Sequence, residues 1–374
     1  MLKFIIKPFD VLFFGGGKPF NIGDTAKSIF PPFPHTFAAA ICSKIYSEFK
    51  IDVSNILKSV YGPFLFNERE NELYFPKPAD IYTLRKKENG VFHLKLLDDN
   101  NFSLFKFENT NKPDDIEKLL IYQGEKHIES FEGFIIQDGL QDWVDGKKVE
   151  KDKIKRFYDV FEYERRVGIK QSLETHTVIS EDGLYRIDYL RLKEDWSFVF
   201  YVEFDYENLR HPKLSDEDKI LQFFKESPKV LKLGGEMKSI YYEVEKDDLK
   251  SIISKPDIKS EEVIKVLFLT HSTFNCNKVF PSFSDGEIIS AVINGYLNLA
   301  ITSKGLKLDK FTKRGIRAGS VFYVKVSDKN SVNNLWFGFF CPYGRNNKTF
   351  NGRNNKTFIG TNLVIYGKLM NELK

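Results

Sequence analysis

Three glycines in a row, Gly15, Gly16 and Gly17, follow an apolar run and precede Lys18-Pro19-Phe20. Glycine lacks a Cβ, so its N–H can approach an anion closely and its backbone reaches left-handed conformations. Lys18 adds a point charge. The stretch "FFGGGKPF" can therefore hold a phosphate or simply turn the chain where a strand ends. It is neither a P-loop nor a dinucleotide fingerprint, because neither glycine spacing is present.

Three other stretches combine charge with backbone freedom. In "EYERRVGIKQ", Arg165, Arg166 and Lys170 surround Gly168. Adjacent residues of an extended segment point to opposite faces, so a ligand on one side meets only one of the two arginines. In "LKLGGEMKS", Gly234-Gly235 suits a bulge or a close approach of another backbone. In "TKRGIRAGS", Lys313, Arg314 and Arg317 form the most basic short loop of the chain. Each also reads as an ordinary solvated strand or loop.

Chemistry that breaks bonds has little to work with. The six histidines are scattered, and H-E-x-x-H and G-x-S-x-G are absent. His35, beside Pro34 at a helix start, could act as a general base or only cap and pack. The three cysteines (Cys42, Cys276, Cys341) are far apart and contain no C-x-x-C, so neither a disulfide framework nor a zinc site is expected. No metal or cofactor is expected.

The elements that must position these residues follow from periodicity. The 374 residues exceed one ordinary core, so two domains are expected. Leu2 to Phe14 reads as a strand ending in glycine. "FPPFPHTFAAAICSKIYSEFK" opens a helix that His35 or Thr36 could cap, with Phe37, Ile41, Ile45 and Phe49 on one face. Two strands flank Asn89-Gly90, a hairpin signal. Residues 98–156 read as a charged insertion. "GLYRIDYLRLKEDWSFVFYVEFD" reads as a strand pair turning near Glu194-Asp195. A short helix capped by Ser215 and a strand after Gly234-Gly235 complete the order strand, helix, strand, strand, helix, strand, the ferredoxin-like order. After a charged boundary near Pro256 a second set follows: a buried strand "VIKVLFL" despite its lysine, a helix near Gly286 to Ala300, and further strands. The expectation is an α+β fold with two tandem ferredoxin-like (RRM-like) domains, residues 1–248 and 259–374. "GRNNKTF", repeated at Gly344 and Gly352, reads as a β-hairpin extension or loop.

The formal net charge of +4 permits a polyanion partner without demanding one. No run approaches a membrane span, and "MLKFIIKPFD" lacks the features of a secretory signal, which leads to an expected cytoplasmic location.

Together the stretches "PFDVLFFGGGKPFNIG", "IFPPFPHTFAAAI", "GPFLF", "LYFPKPADIY", "ERRVGI", "EDGLYRIDYLRL", "LGGE", "AGSVFYVK" and "FIGTNLVIYG" resemble one family over nearly the whole chain. It is the Cmr3-type subunit of type III-B CRISPR effector (Cmr) complexes, within the RAMP superfamily. The resemblance implies no catalytic activity and binding of the repeat-derived 5′ handle of the crRNA in antiviral defence. It also implies contacts with the large polymerase-like subunit and the first backbone subunit. The RNA-facing candidates are Gly15, Gly16, Gly17, Lys18, His35, Thr36, Arg165, Arg166, Lys170, Gly234, Gly235, Arg314 and Arg317. A repeat-cutting endoribonuclease and a purely structural adaptor are the competing readings. Two departures stand out. The family commonly has charged residues at the positions of Gly15 and Gly16, and this chain follows Gly360 with Thr361-Asn362 in place of further glycines.

Overall fold

The computed structural model describes residues 1–16, 25–53, 56–84, 91–96, 120–122, 127–169, 171–172, 174–178, 184–273, 286–301, 311–328, 332–340 and 359–370. Gly17, Lys18, Lys170, Asn89-Gly90, Cys276, Cys341 and both copies of "GRNNKTF" lie outside them, as does the Arg314 side chain.

The first strand, β1 (Leu2–Pro8), buries alternate residues: Leu2, Phe4 and Ile6 are fully buried. That is the period of a strand with one face in a core. β2 (Thr25–Lys27) is short, and helix α1 (Pro34–Phe49) follows. Pro34 occupies the first helical turn, where its missing N–H costs nothing. Phe37, Ile41 and Ile45 are buried at four-residue spacing. The helix ends where Lys50 turns left-handed (φ 53°) and donates its N–H to the Tyr46 carbonyl. The N-cap is Phe33 and makes no side-chain cap, so neither His35 nor Thr36 caps this helix. Thr36 donates its backbone N–H to the Phe33 carbonyl at 3.1 Å. Glu217–Glu226 forms the second long helix of this half, capped by Asp216 in place of the expected Ser215. The Asp216 carboxylate accepts the Lys219 N–H.

The main sheet has eight strands. At its centre β3 (Leu57–Asn67), Trp196–Phe204, β1 and Lys238–Lys246 lie side by side, all antiparallel. Counted along the strand-helix-strand-strand-helix-strand order, that is second, third, first, fourth. β4 (Glu72–Pro76), Gly133–Ile136 and Ile154–Arg156 extend one edge and Val230–Leu233 the other. Strand alternation sends Phe4, Phe198 and Phe200 to one face, where α1 and Glu217–Glu226 cover them. Phe4 meets Phe224 edge-on at 5.0 Å, and Phe37 meets Phe200 at 5.2 Å. Val199, Tyr201, Tyr61 and Phe64 point the other way, into a second core.

The C-terminal sheet fills that second core. Its strands run Gly286–Val292, Val321–Val326, Val263–Phe268, Leu363–Lys368, Gly338–Phe339, and the first four again follow the order second, third, first, fourth. Leu267, Val321, Tyr323, Leu363 and Ile365 face the N-terminal sheet, while Ile264, Val266 and Phe268 face an outer core.

Three expectations need correction. The segment read as a helix near Gly286 to Ala300 forms two strands, Gly286–Val292 and Tyr296–Ile301. Gly295 between them has φ 93°, which no helix continues through, and the Ile- and Val-rich run suits a strand. The strands on either side of Asp195 do not pair with each other. Leu184–Leu192 pairs with Phe161–Ile169 in a separate hairpin, while Trp196–Phe204 enters the main sheet. The presumed insertion also contains structural parts: Gly133–Ile136 joins the sheet edge, and α2 (Gln137–Val144) buries Leu140, Trp143 and Val144.

Candidate nucleic-acid interface

The segment Leu12 to Gly16 leaves β1 and is held on three sides. Leu12 exchanges backbone hydrogen bonds with Leu190 of the hairpin, at 2.8 Å each way. The Phe14 N–H donates to Ser28 Oγ (2.9 Å), and the Phe14 carbonyl accepts the Ile29 N–H. The Phe13 carbonyl accepts the Gly235 N–H at 2.7 Å. This last bond brings two separate glycine stretches together. A Cβ on Gly234 would sit 2.5 Å from the Phe13 oxygen, and Gly234 is left-handed at φ 76°. Only glycine meets both demands. Glu236 (φ 57°) and Met237 (φ 47°) continue the loop in the same left-handed region, an arrangement that costs energy for residues with a Cβ.

Gly15 and Gly16 behave differently from the sequence-based reading. Neither takes a positive φ. At Gly15 an added Cβ would find only a Phe13 ring atom, at 3.8 Å, and at Gly16 it would press on the flexible end of Ile29 at 2.8 Å. The backbone there is left unshielded by a Cβ, but its turn is not one that requires glycine.

The arginines stand beside these glycines on the hairpin Phe161–Ile169/Leu184–Leu192. Arg165 and Arg166 do point apart. Arg165 binds Asp188 with two parallel bonds, 2.7 and 3.1 Å. Arg166 meets Glu164 and Asp10, and Arg191 meets the same two carboxylates. Bonds from Arg165 hold the Asp188 carboxyl below its usual range, and bonds from Arg191 and Arg166 do the same for Glu164. Burial alone would raise Asp10, but the two arginines outweigh it. Tyr189 sits beneath: its hydroxyl donates to Glu236 at 2.6 Å, and Arg166 and Lys238 lie over its ring. The cations are thus positioned but neutralised pairwise. Asp10, one of these carboxylates, is itself half-exposed.

His35 and Thr36 lie at the start of α1. The His35 ring stacks on Phe33 at 5.4 Å, its Nδ1 is buried without a hydrogen-bond partner, and burial lowers its pKa to about 4. Nearby His271 is fixed in one neutral tautomer. Its Nδ1 accepts the Ala318 N–H (3.1 Å), so its Nε2 carries the proton and donates to the Pro31 carbonyl at 2.8 Å. Arg317 lies at the seam between the two sheets, paired with Glu132 at 2.9 Å. Arg314 lies on the strand Phe311–Ile316, opposite Asn298.

The structure therefore gathers Gly15, Gly16, Gly234, Gly235, Arg165 and Arg166 at one end of the main sheet, and leaves Arg317 at a second place. Sequence reasoning missed Asp10, Glu164, Tyr189 and Arg191, whose partnerships span up to 181 residues of chain. Among the described residues, no group of His, Cys, Asp and Glu side chains is arranged to hold a metal ion. Among them too, no helix is long and apolar enough to cross a membrane.

Both halves of the described chain are strand-rich, mixed α/β structures built on antiparallel sheets. Solved structures with a comparable chain path include a chain of the type III-B Cmr-beta complex bound to cognate target RNA and AMPPnP. That chain is 19% identical, covers 86% of each chain and has a TM-score of 0.48. Another is a chain of the Csm3-Csm4 subcomplex in the type III-A CRISPR-Cas interference complex, 12% identical, covering 87% of this chain and 94% of that one, TM-score 0.37. No curated protein matches the chain. The family model for CRISPR-associated protein Cas_Cmr3 matches residues 4–369, and the chain belongs to that family.

Proposed function

We propose that this chain is a non-catalytic, cytoplasmic subunit of a type III-B CRISPR effector complex that holds the 5′ handle of the crRNA. It contacts the large polymerase-like subunit and the first backbone subunit. The observation that carries the reading is the meeting of two glycine stretches and an arginine-bearing hairpin at one sheet end, closed by the Gly235 to Phe13 bond. Unshielded N–H groups with arginines at hand are what a single strand's phosphates require. The repeated strand order in both sheets supports two tandem ferredoxin-like domains, residues 1–248 and 259–374, the second with few helices among the described residues.

The test is binding of the purified full chain to a handle-bearing guide and to the same guide without the handle, at several salt concentrations. Tighter binding of the handle-bearing guide supports the proposal. Equal or absent binding overturns it and favours the adaptor reading. Cutting of repeat RNA that His35→Ala abolishes would favour the endoribonuclease reading instead.

A further inference from the structure

We infer that the seam between the two sheets holds one phosphate of the RNA backbone, at a crevice lined by Arg317 and Phe131, with Arg156 against the Phe131 ring. This rests on the RNA-binding reading above and adds a second contact point to it.

The crevice is lined from the N-terminal half by Phe30, Pro31, Lys77 and Phe131, and from the C-terminal half by Asn294 and Arg317. Two cations, Lys77 and Arg317, line it, and a third, Arg156, lies against the ring of Phe131. Lys77 Nζ lies 4.6 Å from the Phe131 ring centre and Arg156 Cζ 5.4 Å. Arg317 reaches in from the other sheet. Lys77 is almost fully buried, with Nζ donating to the Pro78 and Ile81 carbonyls, so its amine is fixed in place beneath the site. Arg156 has no carboxylate on its guanidinium among the described residues; the neighbouring Asp159 accepts its backbone N–H instead.

The carboxylate that occupies this place is Glu132. It holds Arg317 at 2.9 Å but is itself 55% exposed, so it can swing into water when another anion arrives. The size of the crevice selects the ligand. It offers about 30 Å³, room for ~2 water-sized groups and far too little for a base. Phosphoryl oxygens fit, while the ribose rests outside against Phe131. Arginine forks suit such oxygens, whereas a free carboxylate offers no chain to extend along the surface. The place also continues the first site. Ile29 bonds the Phe14 carbonyl beside Gly15, and two residues further Pro31 lines the crevice. That step is at most ~7 Å of chain.

The experiment uses the full chain, a fluorescent handle-bearing guide and a set of guides each carrying one neutral methylphosphonate linkage. In the wild type, one linkage should cost about tenfold in affinity, the effect of a lost charge-assisted bond. In R156A/R317A that same substitution should cost nothing more, and the salt slope should fall by ~0.7, the share of one phosphate. E132Q, on an exposed side chain, should tighten binding and steepen the slope, which a purely structural pair would not do. If wild type binds the guide but every linkage acts alike in R156A/R317A and wild type, and E132Q leaves binding unchanged, this inference fails and the proposed function stands. If wild type does not bind at all, both fall.

Discussion

Trp143 donates its indole N–H to both oxygens of the buried Asp80 carboxylate, at 3.0 and 3.1 Å, across 63 residues of chain. Tyr323 from the C-terminal sheet donates to the same carboxylate at 3.1 Å. Lys265 lies 4.1 Å over the Trp143 ring and donates to the Trp143 carbonyl. One carboxylate therefore ties α2 and both sheets together, with Lys77 and Lys265 as the buried cations around it.

Asp80→Asn should destabilise the fold by ~3 kcal/mol, because two buried lysines would lose the one close anion they have among the described residues. Trp143→Phe should cost less, about 1–2 kcal/mol, since it removes one donor and leaves the charge otherwise solvated by Tyr323. Denaturant unfolding of both variants checks the order. An Asp80→Asn protein as stable as wild type contradicts this account of the seam.

Burial lowers Lys77 to about 7 and Lys265 to about 8, from 10.5. The folded chain then binds fewer protons than the unfolded chain between about pH 7 and pH 10. Stability should rise with pH through that window, by up to ~1.4 kcal/mol per pH unit for each group. Lys77→Met should flatten the rise. Thermal unfolding at pH 7, 8 and 9 for both proteins is the measurement, and identical profiles would falsify the assignment.

Burial likewise lowers His271 to about 4, against an ordinary 6.5. Its protonation would place a proton on Nδ1, which accepts the Ala318 N–H. The contribution is complete above pH 6.5 and is lost as pH falls toward 4. His271→Gln should weaken the fold at pH 7.5 yet show a shallower acid loss. Unfolding midpoints at pH 5 and 7.5 compare the two, and a parallel loss in both proteins argues against His271 as the group.

Gly234→Ala meets the Phe13 carbonyl and a left-handed φ at once, and should cost ~1–3 kcal/mol. Gly15→Ala meets nothing closer than 3.8 Å and should leave the melting temperature unchanged. If the Gly15 backbone faces RNA, that same variant weakens handle binding. A Gly15→Ala protein with full affinity would remove Gly15 from the interface.

Asp10 holds Arg166 and Arg191 together. Asp10→Asn removes one of the two carboxylates that Arg166 and Arg191 share, leaving Glu164 alone against two guanidiniums, so handle affinity should rise and the salt slope should steepen by up to ~0.7 for each phosphate newly contacted. Filter binding at two salt concentrations reads both quantities. Weaker binding by the variant would show that the network positions the arginines and is not displaced by RNA.

Much of the N-terminal half was legible from local pattern. Phe4 and Ile6 alternate, and Phe37, Ile41 and Ile45 repeat every four residues, because each set must turn one face to a core. The pattern also marked "VIKVLFL" as a buried strand in spite of Lys265. It failed at Gly286 to Ala300, where a corner at Gly295 separated two strands of different sheets. It failed again at Asp195, where local turn chemistry joins neighbours that do not pair.

The sequence by itself determined which residues are apolar, where the chain turns, and where glycine leaves the backbone bare. Partnership was decided only by the tertiary structure. Nothing local says that Phe13 will meet Gly235, that Asp10 will neutralise Arg166 and Arg191, or that Asp80 will join Trp143 to Tyr323. Hydrogen bonds and ion pairs act over a few ångströms, whereas these partners are separated by scores to hundreds of residues. Only the stacking of two sheets brings them within reach.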